Sequence, residues 1–411
     1  MSGTRIRMQR CGTIGAGLVV CAVVFRAAAA APAEQAALVS ADTGFAFSLL
    51  KELTREQAAK NVFISPYSIS AVLQMVCNGA AGSTREEMAR ILGIGDLEAR
   101  AVNRAHMDLD NAIRPAQSEV ILNIANAIWY SVDIQVRPAF ASLNRDFYGA
   151  TLDGLDFTDP RTGGIVNRWA ERNTQGRIRN IVPGRLPGDT RMFLANAIYF
   201  KGSWERKFDP KTTERRAFHL ADGGQKQVPM MRQSGKYQYQ EANGCQAVRL
   251  PYQGGRLGFY VLLPDAKSSA EKLLATLTAD VWQERLLRQL RSREGKLVLP
   301  RFRLEYEAEL KPPLQAMGMK LPFSKAADFS AMAAQPLYLS AVKHKSFVEV
   351  NEEGTEAAAA TVAEMKVTSV APPTQPFEMV VDRPFVFVIA DNATREILFA
   401  GVVYEPPSAG R

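Results

Sequence analysis

Apolar and polar positions recur along this chain with two different periods. Around Phe45, Phe47, Leu49, Leu50 and Leu53 an apolar side predicts an amphipathic helix over residues 40–59. Ser65 followed by Pro66 reads as an N-cap with proline at the first helical position, where the missing N–H has no partner to lose. That helix should run to about Asn78 and stop at Gly79. The residues from Ser83 to Glu86 have the form of a capping box, and Gly93 would end the helix they open. Helical patterns also cover 96–113 and 164–176. Later, short β-like segments predict strands over 119–130, 191–201, 228–231, 246–251, 256–264, 296–306, 346–350, 377–381, 385–390 and 397–403. One helical insertion, 269–291, interrupts them. Helices first and strands later point to an α+β fold.

One stretch fits neither period cleanly. After the strand 346–350, the segment from Asn351 to Ser369 holds four consecutive alanines, Ala357 to Ala360, and a Pro-rich extended loop follows over 370–376. Propensity alone predicts a short surface helix, with Gly354 and Thr355 at its cap and Glu356 in its first turn. Taken as a strand, the segment divides by parity. Thr355, Ala357, Ala359, Thr361, Ala363 and Met365 are small or uncharged, while Glu356, Glu364 and Lys366 all fall on the other face. One segment thus suits an exposed loop and a half-buried strand.

Composition removes several alternatives. With 47% hydrophobic and 22% charged residues the chain is ordinary globular material. Arg5, Arg7 and Arg10 precede an apolar run from Gly12 to Phe25 and an Ala-rich tract, which predicts a secretory signal peptide over 1–33 with cleavage near Ala30 or Ala33. Those residues carry four arginines and no acids, so the formal charge of the remainder falls from +8 to +4. No basic run or interleaved aromatic pattern suggests nucleic acid. Cys77 and Cys245 remain after the leader, outside any metal-type spacing, and are expected as buried free thiols.

Catalytic constellations are missing from the sequence. The only histidines are His106, His219 and His344, and no zinc, phosphate-loop or nucleophile-elbow motif accompanies them. Neither a metal nor a cofactor is expected. His344 reads as a buried, hydrogen-bonded histidine, and Ser65 and Ser68 as capping residues.

Four segments together resemble the serpin family of serine-protease inhibitors. They are the residues from Asn61 to Ser68, from Asn196 to Trp204, from His344 through the hinge to Thr361, and from Val381 to Ile389. The resemblance covers residues 34–411 and implies a serpin fold: helices around three β-sheets, a large central sheet, and an exposed reactive-centre loop at about 352–380. It implies a non-enzymatic, secreted, extracellular or periplasmic suicide inhibitor that acts as a monomer without cofactor, metal, nucleic acid or membrane. Cleavage of the loop would trap the protease covalently as the loop enters the central sheet. The hinge corresponds to Glu352, Glu353, Gly354, Thr355, Glu356, Ala357, Ala358, Ala359 and Ala360. Counting from Gly354 as in the family places the reactive bond at Thr368–Ser369, which favours an elastase-like serine protease. Lys366–Val367 would imply a trypsin-like target and Met365–Lys366 a chymotrypsin-like or elastase-like one; papain-like cysteine proteases are a further class. Ser65, Ser68, Asn196 and His344 match the family's shutter, and Trp204 and Glu352 its breach. The alternative within the family is a non-inhibitory secreted carrier or chaperone.

Overall fold

The computed structural model of the chain describes residues 16–114, 120–355 and 375–407. Its central element is a six-stranded sheet, in the order Phe302–Glu309, Ala341–Val350, Gly354–Thr355, Met192–Ser203, Val120–Ser131 and Thr151–Leu155. Ala341–Val350 and Met192–Ser203 also pair directly and in parallel, from Ala341 opposite Phe193 to Phe347 opposite Tyr199. A second network of nine strands carries most of the apolar sequence. Its strands Leu257–Pro264, Phe385–Asp391 and Ile397–Val403 are buried on both faces, which explains their near-continuous apolar runs.

The resemblance implied three sheets. Here the long strand Gln225–Ala242 pairs with Arg291–Pro300 along most of its length and with Cys245–Pro251 at its end. It thereby joins two of the three into one hydrogen-bonded network. The helix Pro66–Cys77 is buried along its whole length behind the central sheet, in the main core. The opposite face of that sheet is covered by the helix Thr162–Asn173, through a smaller core in which Trp169 meets Trp129 edge-on at 6.1 Å. The central sheet is therefore clamped on both faces.

Several expectations need correction. The first helix spans Ala16–Glu56, starting earlier than expected and ending short of Ala59, whose φ is +58°. The capping box does not form. The helix begins earlier, at Gly82–Ile91 behind Ala81, and no side chain caps it, so Ser83 lies within its first turn. The strand expected over 296–306 is two, Arg291–Pro300 and Phe302–Glu309, because the chain crosses between sheets at Arg301. The insertion 269–291 keeps an α-helix only at Ala270–Thr276, followed by a π-helical stretch, Val281–Leu286, and a 3-10 turn, Leu287–Gln289. The helix Pro138–Tyr148 and the strand Glu214–His219 were not anticipated. Among the described residues no helix is long and apolar enough to cross a membrane.

Cys77 and Cys245 are both free and buried, as expected, and burial raises both thiols above their ordinary range. Protein purified without reductant should therefore keep the same melting temperature when reductant is added. Both thiols should react with a thiol reagent only after unfolding; a reductant-sensitive melting curve would contradict this assignment.

Candidate functional site

The site is a seam, the parallel junction between Ala341–Val350 and Met192–Ser203. At its upper end the chain turns back on itself. Asn351 accepts hydrogen bonds from the Glu353 and Gly354 N–H groups through its side-chain oxygen, at 3.0 and 3.2 Å, and donates its own N–H to the Gly354 carbonyl at 2.9 Å. This side-chain turn reverses the chain, and Gly354–Thr355 enters between the two strands. Thr355 pairs with Val350 on one side and Gly202 on the other, antiparallel to both. The helical reading of this stretch is therefore wrong at Gly354 and Thr355, which are extended.

Fit at the entry is tight. A Cβ on Gly354 would lie 2.2 Å from the Gly202 carbonyl oxygen, so glycine is required for close approach. Thr355 is fully buried, and its hydroxyl shares a 2.6 Å hydrogen bond with the Tyr252 hydroxyl. The Tyr252 ring stacks on Trp204 at 4.8 Å. Threonine fits because its one polar atom finds a partner; a longer or charged side chain would be stranded there.

Trp204 and Glu352, which the resemblance assigns to the breach, meet here. Trp204 Nε1 donates to the Asn351 carbonyl at 2.9 Å, its backbone N–H to Glu353 at 3.0 Å, and the Phe208 N–H to Glu352 at 2.9 Å. Each of the three residues before Gly354 is thus held through its carbonyl. The Glu352 carboxylate accepts from Thr213 Oγ1 at 2.8 Å and lies 3.7 Å from Arg301, while Glu353 pairs with Lys207 at 2.6 Å.

Lower in the seam lie Ser65, Ser68, Asn196 and His344, all buried. His344 and Asn196 are register partners across the parallel junction, and His344 Nδ1 lies 2.7 Å from Asn196 Oδ1. His344 Nε2 accepts the Ser65 backbone N–H at 3.3 Å, so Nδ1 carries the proton and donates to Asn196. Asn196 then donates to Ser68 Oγ and, at 2.7 Å, to Asn126 Oδ1 on the next strand. Ser65 Oγ donates to the Leu398 carbonyl at 2.7 Å and accepts the Ser68 N–H as helix cap. Ser346, two residues along, donates to the Phe63 carbonyl at 2.6 Å. This neutral chain ties three strands and the N-terminus of the helix Pro66–Cys77 together. Burial alone pulls the His344 pKa down to about 3.

Sequence reasoning missed Asn126 and Tyr252. Asn126 was visible in principle, as an amide in an otherwise apolar strand. Tyr252 follows a predicted strand and gave no local signal, because its partner lies 103 residues away. The hinge residues Glu356, Ala357, Ala358, Ala359 and Ala360 lie outside the described residues, as do Lys366, Val367, Thr368 and Ser369. Among the described residues no group of His, Cys, Asp or Glu has a metal-binding arrangement.

Comparison with known proteins agrees with this geometry. The family model described as Serpin (serine protease inhibitor) matches residues 40–406. A serpin-like protein of Thermococcus kodakarensis is 37% identical, covering 90% of this chain and 86% of its own. The leukocyte elastase inhibitor of Sus scrofa is 35% identical over 90% of this chain and 99% of its own. Among solved structures, human thyroxine-binding globulin complexed with its hormone superposes with a TM-score of 0.82 at 29% identity, covering 91% of this chain and 100% of that one.

His344→Phe should cost about 2–4 kcal/mol near neutral pH, because it leaves the Asn196 oxygen and the Ser65 N–H buried without partners. The native state takes up no proton at His344 until about pH 3, whereas the unfolded chain does so near 6.5. The stability contributed by His344 is therefore complete above 6.5 and is lost as pH falls toward 3. Chemical denaturation at pH 7.5 and 4.5 checks this: the gap between wild type and variant should narrow at the lower pH, and a constant gap would contradict it.

Proposed function

The chain belongs to the serpin family, and on that premise we propose that it inhibits a serine protease as a suicide substrate. The supporting observation is that Gly354 and Thr355 already lie antiparallel to both strands of the seam. The reversal at Asn351 sends the chain back between the two parallel strands, so insertion along the seam would run antiparallel to both. Antiparallel pairing is slightly stronger per residue than parallel pairing. Replacing one parallel junction by two antiparallel ones also adds a ladder, with a net gain of about 1 kcal/mol per hydrogen bond.

In the intact protein the bait bond, Thr368–Ser369 or alternatively Lys366–Val367, tethers the loop at both ends. Attack by the protease forms an acyl-enzyme and frees one end. The residues after Thr355 then follow it downward, with Ala357, Ala359, Thr361 and Ala363 facing the core. As they pass, the His344–Asn196 bond exchanges for contacts with the new strand. The tethered protease is dragged and distorted before it can hydrolyse the ester. A threonine before the cut suits an elastase-like pocket, a choice in keeping with the elastase inhibitor among the relatives. We also propose export, from the leader pattern in the first 33 residues.

The carrier reading takes support from the similarity to thyroxine-binding globulin. It leaves the small, uncharged parity of the hinge without a purpose, so inhibition is the stronger reading.

Mixed with an elastase-like protease, the protein should give a covalent band on a denaturing gel near the sum of the two masses. Clean loop cleavage by a panel of elastase-like, trypsin-like and chymotrypsin-like enzymes, each left active, would refute inhibition. Thr355→Arg should convert inhibitor to substrate, since the guanidinium cannot occupy the pocket at Tyr252. A variant that traps protease with wild-type stoichiometry would refute the insertion mechanism.

A further inference from the structure

Two buried carboxyl groups play no part in the mechanism above. Asp42, in the helix Ala16–Glu56, is 2% exposed, and Glu396, just before the strand Ile397–Val403, is fully buried. One Asp42 oxygen accepts from Ser70 Oγ at 2.5 Å and Gln74 Nε2 at 3.2 Å. Its other oxygen and both oxygens of Glu396 are buried without a hydrogen-bond partner among the described residues. The ionisable groups that face them are acids or phenols. Glu396 faces Asp42 and Asp391, the latter already paired with Arg256 at 2.5 Å. From the helix Pro66–Cys77, Tyr67 faces both carboxyls and also Asp110 of the helix Ala99–Ile113, and Tyr148 of the helix Pro138–Tyr148 faces Asp42. Among the described residues no cation pairs with either carboxyl, so two negative charges here would go unoffset and folding favours the protonated pair.

We propose that Asp42 and Glu396 form a proton-holding pair that anchors the helix Pro66–Cys77, so that losing a proton as pH rises loosens the shutter and speeds hinge insertion. The connection is short. Ser70 and Gln74, which hold Asp42, sit on the same helix as Ser68 and its cap Ser65. Ionisation sets Asp42 and Glu396 against each other across that helix and the strand whose Leu398 carbonyl receives the Ser65 hydroxyl. The proton site stands on the burial of both carboxyls, their unpartnered oxygens and the hold of Ser70 and Gln74 on Asp42; its effect on insertion rests on the inhibitory reading.

Burial holds Asp42 up at about 7 against the Ser70 bond, and burial followed by the charge of Asp42 raises Glu396 well above the usual range. Both are raised in the folded state, so their contribution is complete below about pH 4 and is lost as pH rises through the folded values. The buried His344 and His106 act with opposite sign below 6.5, since burial lowers both, to about 3 and about 4. The window in which the carboxyl pair acts without them is therefore above pH 6.5.

The test is thermal and kinetic unfolding of the full chain from pH 6.5 to 8.5, for wild type, Glu396→Gln and Asp42→Asn. Wild type should unfold faster with rising pH, by up to about tenfold per pH unit for one proton. Each variant should flatten that slope and melt higher than wild type at pH 8.5. A flat wild-type profile, or variants that keep the wild-type slope, overturns the proposal. If a variant does not fold, infrared difference spectra of wild type decide. A buried protonated carboxyl band that is present at pH 6.5 and diminished at 8.5 supports the pair, and no such band overturns it. Failure of inhibition alone would remove the pH effect on hinge insertion while leaving the melting slope and the infrared band in place.

Discussion

Everything in this molecule depends on one constraint: the central sheet has to be closed along a junction that one more strand could fill. Ala341–Val350 and Met192–Ser203 run parallel and pair directly as far as Phe347 and Tyr199. Above that point Thr355 has come between them. The junction satisfies its backbone groups in the less favourable of the two ladder geometries. On the inhibitory reading we propose, a lower-energy pairing is covalently attached at the top of the same seam. On that reading the fold is held rather than relaxed, and the turn at Asn351 sets the direction the hinge would take if released.

Two clusters do the holding, and they work differently. At the top, donors from Trp204 and Phe208 fix the carbonyls of Asn351, Glu352 and Glu353, so the hairpin that presents Thr355 cannot drift. In the middle, His344 and Asn196 join the two strands through side chains, and Asn196 passes the connection to Asn126 and Ser68. All members of the middle cluster are neutral and buried, and their side chains bond to one another or to nearby backbone groups. Such a network resists partial opening, because any one broken bond strands a polar atom in the core. On the proposed mechanism it yields when a complete new strand supplies replacement partners. The helix Pro66–Cys77 passes from this cluster to the Asp42–Glu396 pair, which places a titratable element one to two turns from the junction.

Much of this was legible in the sequence, for identifiable reasons. Strands with unbroken apolar runs, the Ser65–Pro66 helix start and the small buried Thr355 each obey a local rule that tertiary structure did not override. The capping box at Ser83 obeyed a local rule too, but its helix starts earlier, against Ala81, and leaves the serine inside the first turn. The strand across Arg301 looked continuous because both segments are apolar enough to read as strand and only one residue separates them. What could not be seen were partners far apart in sequence. Tyr252 meets Thr355, and Asp42 of the first helix meets Ser70 and Gln74, only through the tertiary fold, and none of these residues is unusual beside its sequence neighbours.

The central claim is that the intact sheet is the less stable of two arrangements of the same chain. The most direct measurement is the melting temperature before and after a single cut in the loop, made by a protease the protein does not trap. The account predicts that the nicked protein, with its loop inserted, melts well above the intact one, by roughly 20 °C or more if insertion supplies several kcal/mol to each part of the sheet it reaches. An unchanged or lower melting temperature after cleavage would contradict it.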